Sequence, residues 1–224
     1  MMVMANRQYA VIGLGRFGTS VARSLFRLGQ EVLAIDTDEE RLKYVAEEVT
    51  HTLVADTTDV NVLKSIGVSN FDVVVVAIGE NVQSNIMTTL LLKELGVKYV
   101  VVKAMNKMQG RVLEKIGADR VVFPEREMGK RIAHNLVSAN LVDYIELAQE
   151  FRISEVIAPR EMHGKTLKNL NLRARYNVNV ILLRRASGEV IFTPGAEDII
   201  QPDDVLVMAG QKNELDKLER LWND

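Results

Sequence analysis

Cysteine is absent from this 224-residue sequence, which removes disulfides, thiolate metal sites and thiol nucleophiles together and fits a reducing compartment. Histidine is scarce. His51, His134 and His163 lie far apart, and none has a partner at helical ligand spacing, so they read as solvated or packed side chains rather than metal ligands. Neither sign of charge dominates: 28 basic against 30 acidic residues leave a net charge of −2, so no overall positive field gathers nucleic acid or anionic lipid. No apolar run approaches the ~20 residues needed to cross a bilayer. Met1 to Asn6 lead directly into a strand, without the basic start, apolar stretch and cleavage site of a secretory signal. The expectation is a soluble protein of the cytoplasm. What remains is globular composition, 47% apolar and 26% charged, and at roughly 150 residues per domain the length leaves room for one ordinary domain and a smaller one.

From Gln8 to Val122, short runs rich in valine and isoleucine alternate with segments of helical period, as β-α-β units of a parallel sheet do. Six strands are predicted: Tyr9 to Ile12, Glu31 to Ile35, His51 to Val54, Val73 to Ala77, Tyr99 to Lys103 and Arg120 to Phe123. Helices are predicted over Phe17 to Leu28, Glu39 to Glu47, Val60 to Ile66, Asn81 to Leu95 and Met108 to Ile116, several followed by a closing glycine. A right-handed, Rossmann-like doubly wound sheet is the ordinary solution to that order. Pro124 then opens a helix from Glu125 to Val137 that leads out of the domain. Beyond Leu141 the pattern changes to strands Asp143 to Leu147, Arg152 to Ala158, Val178 to Arg184, Val190 to Phe192 and Asp204 to Ala209, with a short helix near Thr166 to Leu170 and a last one from Asn213 to Trp222. The expected division is a Rossmann domain over 6–123, a linking crossover helix over 124–140 and a small α+β subdomain over 141–224. A module of about 80 residues is small to stand alone, so pairing with a second copy is expected.

The run Gly13-Leu14-Gly15-Arg16-Phe17-Gly18 has the full context of a dinucleotide fingerprint: a strand before it, a helix after it, and Asp36 closing the second strand. Gly13 permits the tight turn, Gly15 the approach of a pyrophosphate and Gly18 the close packing of helix on sheet. Asp36 suits the two ribose hydroxyls and disfavours NADP; its other reading, a cap for the next helix, is one that Thr37 or Asp38 can fill. Asp56 falls either beside an adenine edge or at the cap of the helix starting near Val60. Arg16 either pairs with a terminal phosphate, which suits ATP or ADP as well as NAD, or stands solvated at the surface. Lys103 ends the fifth strand on the ligand side. Glu125 is either a first-turn charge complementing its helix dipole or a cation ligand beside the phosphates.

A nicotinamide dehydrogenase needs a proton-transfer group and a substantial substrate domain, and nothing after Leu141 resembles one. The glycine run also lacks the lysine and hydroxyl ending of a P-loop. An NAD-dependent oxidoreductase is therefore the alternative reading, and a DNA-binding redox repressor a more distant one, lacking both a winged-helix segment and basic charge.

These residues resemble the cytosolic regulatory subunits of Ktr/Trk potassium-uptake systems, which carry RCK (regulator of potassium conductance) domains. The likeness rests on Tyr9 to Gly18, Val76-Ala77-Ile78-Gly79-Glu80-Asn81, Thr89 to Leu95, Lys115-Ile116-Gly117-Ala118-Asp119 and Pro124 to Gly129, and it extends to the α+β module, which looks like the C-terminal TrkA-C subdomain. The single pair of N- and C-subdomains is nearest the Ktr type. The resemblance implies a non-enzymatic gating subunit whose dimers assemble into a ring, commonly an octamer, on the cytoplasmic face of a membrane-embedded potassium-translocating subunit. ATP would favour the active arrangement and ADP the inactive one, with NAD or NADH also able to enter. The implied nucleotide contacts are Gly13, Gly15, Arg16, Gly18 and Asp36, together with Lys103, while Phe17, Asp56 and Ile78 complete the set of candidate cofactor-binding residues; Glu125 falls where a cation (Mg or Na) is held near the ATP phosphates. Arg173 and Asn179 resemble the polar contacts that some members use for cyclic di-AMP.

Overall fold

The structure, a computed structural model, describes residues 7–137, 141–148 and 150–223. The chain divides after Arg126 into two units.

In the first unit the strands are β1 (Gln8–Ile12), β2 (Glu31–Asp36), β3 (His51–Val54), β4 (Val73–Val76), β5 (Val100–Lys103) and β6 (Arg120–Val122). They form one sheet in the order β3-β2-β1-β4-β5-β6, every pairing parallel. Helices α1 (Arg16–Arg27), α2 (Glu39–Lys43), α3 (Val60–Ile66), α4 (Val82–Glu94) and α5 (Lys107–Lys115) alternate with them. The sheet is buried on both faces, and successive residues of a strand feed opposite cores. Ala10 and Ile12 join Val74, Val76, Val100, Val102, Leu63, Leu92 and Leu113 on one side, while Val11 joins Ala34, Val75, Ala22 and Leu42 on the other. Boundaries fall within one residue of the expectation except at the second helix. The helix expected over Glu39 to Glu47 stops at Lys43, and a 3-10 turn over Ala46–Glu48 replaces its end. Val45 and Val49 are both buried in the same cluster as Leu42, so the tighter turn follows from the need to bring both β-branched side chains inward.

Helix α6 (Pro124–Val137) spans the division, and the segment expected to continue it through 138–140 lies outside the described residues. The second unit holds β7 (Leu141–Ala148), β8 (Phe151–Ile157), α7 (Leu167–Leu170), α8 (Leu172–Tyr176), β9 (Asn179–Arg184), β10 (Val190–Phe192), β11 (Val205–Gln211) and α9 (Lys212–Asn223). Its sheet, β10-β9-β11-β8-β7, is antiparallel throughout. The expected single helix near Thr166 to Leu170 is followed by a second, α8, because Asn171 and Asn177 take left-handed φ values of 48° and 54° that end one helix and then the other. Asparagine tolerates that conformation better than other residues with a Cβ.

The core of this unit encloses an arginine. Arg152 on β8 is nearly inaccessible; its Nε donates to Ser154 Oγ at 2.9 Å, its Nη1 lies 2.9 Å from Asp216, and its Nη2 pairs with Glu219. The guanidinium thus fastens α9 to the sheet. Removing one partner from such a pair leaves an uncompensated buried charge. Arg152→Ala is expected to destabilise the unit by about 3–5 kcal/mol, and Arg152→Met with Glu219→Leu to recover most of the loss. Trp222, the sole tryptophan, packs against this core, so its fluorescence during urea unfolding reads out this unit.

Candidate functional site

A cavity of about 880 Å³ opens at the carboxyl ends of the first sheet, where β1 lies between β2 and β4 and the connections diverge. This is the crevice in which doubly wound sheets take their ligands. The three fingerprint glycines have different reasons for lacking a side chain. Gly13 sits at φ +89°, its N–H donating to Ile35 O at 2.8 Å, and a Cβ there would stand 2.9 Å from Ile78 N. At Gly18 a Cβ would fall 1.9 Å from Gly13 O, so helix α1 can approach the turn only without one. Around Gly15 nothing lies within 4 Å of where a Cβ would be. That space is part of the cavity. Gly15 is also the N-cap of α1 and supplies no side-chain cap, which leaves the first N–H groups of α1 facing a region that favours an anion.

Asp36, only 7% exposed, is tied into the turn. Its Oδ2 accepts from Leu14 N at 2.6 Å and its Oδ1 from Asp38 N at 2.9 Å. The cap of α2 is instead Asp38, which accepts from Glu40 N. Asp56 also lines the cavity but does not cap α3, a position taken by Asp59. Thr58 gives Asp56 both its N–H and its hydroxyl, and these bonds hold the carboxyl below the usual carboxylate range.

Lys103 and Glu125, which the sequence leaves as separate candidates, meet at 2.6 Å; the lysine side chain is 11% exposed and the glutamate 63%. The ammonium keeps the Glu125 carboxyl below its ordinary range against the opposing effect of burial. Arg16 is exposed at the cavity mouth and makes no ion pair among the described residues. Phe17 packs its half-buried ring against the core around Val11, and Ile78 lines the cavity directly beside Gly13 of the turn. Arg173 on α8 and Asn179 at the start of β9 belong to the second unit, both exposed. His163 bonds Ala158 O, and among the described residues no group of three or more His, Asp or Glu is placed to hold a metal.

Two contributors escaped sequence reasoning. Arg41 lines the cavity with its Nη1 3.7 Å from Asp36 and its Nε 3.4 Å from Asp38; its place five residues beyond the acidic end of β2 was the available signal. Asn85, wholly buried on α4, carried none, since it sits in an ordinary helical period.

Residues 9–124 match the TrkA-N domain family and residues 151–222 the TrkA-C domain family. The Ktr system potassium uptake proteins C and A of Bacillus subtilis (strain 168) are 46% and 44% identical, each over 96% of this chain and over 97% and 96% of their own lengths. The chain is a Ktr-type RCK protein. As a member of that family this Ktr-type regulator is a non-enzymatic regulatory component of potassium uptake, and the dehydrogenase reading is set aside. The Ktr system potassium uptake protein A of Vibrio alginolyticus is 36% identical over 98% of the chain and the whole of that relative. Among solved structures, the GsuK channel superposes with a TM-score of 0.71 at 19% identity, over 99% of this chain and 40% of that one, and its isolated RCK domain with a TM-score of 0.68 over 100% and 49%. The Ktr-type regulator thus shares the fold of those chains while spanning less than half of each. GsuK has also been solved bound to NAD. No helix among the described residues is long and apolar enough to cross a membrane.

Gly18→Ala is expected to cost more than about 2 kcal/mol through overpacking against the Gly13 carbonyl, whereas Gly15→Ala, free of any clash, costs about 1 kcal/mol or less as the exchange of a better N-cap residue for a poorer one. Urea unfolding of the first unit followed by far-ultraviolet circular dichroism, compared with Trp222 fluorescence for the second, separates the two outcomes.

Proposed function

We propose that the Ktr-type regulator senses adenine nucleotides in this cavity and passes the state of the site to a membrane-embedded potassium-translocating subunit. The observation that carries this reading is Arg16, unpaired among the described residues at the mouth of the cavity beside the uncapped start of α1. Asp36 receives the ribose, the N–H groups after Gly15 receive the inner phosphates, and Arg16 receives a terminal phosphate present in ATP and missing from ADP. Asp56 borders the base, Ile78 lies on the phosphate side next to Gly13, and Phe17 sits beneath the turn. NAD or NADH fits the same adenosine and pyrophosphate positions. Lys103 is drawn toward the phosphates, and Glu125, relieved of its ammonium, takes the accompanying cation, Mg or Na.

A ligand shifts a conformational equilibrium only by its differential affinity for the two states. ATP and ADP differ here by one phosphate and whatever Arg16 makes of it, so the arginine is the discriminator. In the assembled form, dimers of the regulator build an octameric ring on the inner face of the membrane, active with ATP and inactive with ADP. A second ligand, cyclic di-AMP, is assigned to Arg173 and Asn179, whose exposed side chains lie at the start of α8 and the start of β9 in a unit small enough to favour pairing of two copies.

Arg16→Ala is expected to lower ATP affinity about tenfold, the worth of one charge-assisted hydrogen bond, while leaving ADP within about twofold; an unchanged ATP-to-ADP ratio in calorimetric titration would falsify the discriminator role. Arg173→Ala in the full chain is expected to abolish saturable cyclic di-AMP binding and leave ATP binding intact, and failure of the unmodified chain to bind cyclic di-AMP counts against that assignment.

A further inference from the structure

Helix α4 packs against the sheet through a stripe that is polar where a core-facing stripe is ordinarily apolar. Its buried positions are Asn85, Thr88, Thr89 and Leu92, one helical face at spacings of three and four. Buried polar groups cost free energy unless their hydrogen bonds are made, so the partners show what the stripe is for. Thr89 returns its hydroxyl to Asn85 O one turn back, at 2.7 Å, an ordinary internal bond. The other two reach out of the helix. Thr88 Oγ1 meets Thr57 Oγ1 at 2.9 Å, and Thr57 lies between Asp56 and Thr58 on the loop after β3 that lines the cavity. Asn85 Nδ2 donates to Ile78 O at 2.8 Å and to Lys103 O at 3.1 Å, and Asn85 Oδ1 accepts from Gln109 Nε2 at 3.3 Å. Gln109 Oε1 in turn accepts from Met105 N at 2.9 Å.

Ile78 and Lys103 stand at the ends of β4 and β5, where the ladder between those strands has stopped after Val76 and Val102. Their carbonyls have left the sheet and are caught by one amide. The consequence is that three cavity-lining segments from three different β-α connections are hydrogen-bonded to a single turn of one helix. Two are at the Lys103 side and one is at the Asp56 side.

We infer that α4 is the positioning element of the nucleotide cavity: Asn85 sets the phosphate half through Ile78 and Lys103, and Thr88 sets the base half through Thr57. The inference rests on the adenine-nucleotide reading for the names of the two halves, while the tethering itself is independent of any ligand. Neither residue lines the cavity, so each acts through the segment it holds. The chemistry also separates them. Thr88→Val keeps shape and removes one hydroxyl partner, whereas Asn85→Ala frees two carbonyls at once, with Gln109→Leu as the milder substitution on the same side.

Two measurements on the full-length chain test this. In hydrogen exchange of the ligand-free protein, Thr88→Val is expected to accelerate exchange at 56–58 and Asn85→Ala at 78–80 and 103–105, each leaving the other segment at the unmodified rate. In titrations with adenosine, ADP and ATP, Thr88→Val is expected to weaken all three by one common factor of about threefold to tenfold. Asn85→Ala, or Gln109→Leu should the former fail to fold, is expected to leave adenosine within about twofold and to weaken ADP and ATP by unequal factors. Acceleration spread evenly over the domain, or equal loss of all three ligands with every variant, overturns the inference and returns α4 to an ordinary packing role. If the unmodified chain binds no adenine compound, the nucleotide reading falls, and the exchange pattern alone decides whether α4 holds the cavity.

Discussion

A buried carboxylate facing a backbone N–H organises the glycine turn. Asp36 is almost inaccessible, and its 2.6 Å bond from Leu14 N closes the gap between the end of β2 and the turn after β1. Without a partner that carboxylate would carry a desolvation cost of several kcal/mol; with it, the turn is fastened to the end of β2. Gly13 and Gly18 then have only one way to fit, since the Gly13 carbonyl that α1 must approach is already in place. The turn that edges the cavity is therefore held by bonds within the first unit.

The same bond shows how far the sequence could be read. The glycine spacing and an acid at the end of the second strand were visible, as were the six strands, because valine-rich runs alternating with helices admit few arrangements. What spacing did not disclose is that Asp36 holds the turn as well as facing the cavity, or that Lys103 and Glu125, 22 residues apart, are partners. Those are consequences of which strands lie side by side. β5 and β6 are neighbours, and Glu125 follows β6 by three residues, so it arrives beside the end of β5 only once the sheet is assembled.

Helix α4 was legible as a helix and illegible as a device. Leucines at 90, 91, 92 and 95 give it an apolar enough composition to pass as a core helix, and nothing in a single sequence says that Asn85 and Thr88 turn inward. The second unit was harder for another reason. Its extra helix depends on two asparagines entering a left-handed conformation that the sequence permits without demanding. The buried Arg152 was similarly hidden, because an arginine at the start of a strand reads as an edge residue until α9 brings Asp216 and Glu219 over it.

Charge gives the cavity its last constraint. Its lining carries three cations, Arg16, Arg41 and Lys103, and five carboxylates, Asp36, Asp38, Asp56, Glu80 and Glu125. Arg41 is already shared between Asp36 and Asp38, and Lys103 belongs to Glu125. A polyphosphate entering such a lining meets repulsion on balance, so attraction must come from the few groups not yet committed: the N–H groups at the start of α1, Arg16, and any cation the ligand brings with it. On the proposed reading this makes the site selective through scarcity. With a single uncommitted arginine among the lining residues, one phosphate more or less changes a large share of the available attraction. A cavity lined with many lysines would bind both nucleotides more tightly and tell them apart less well.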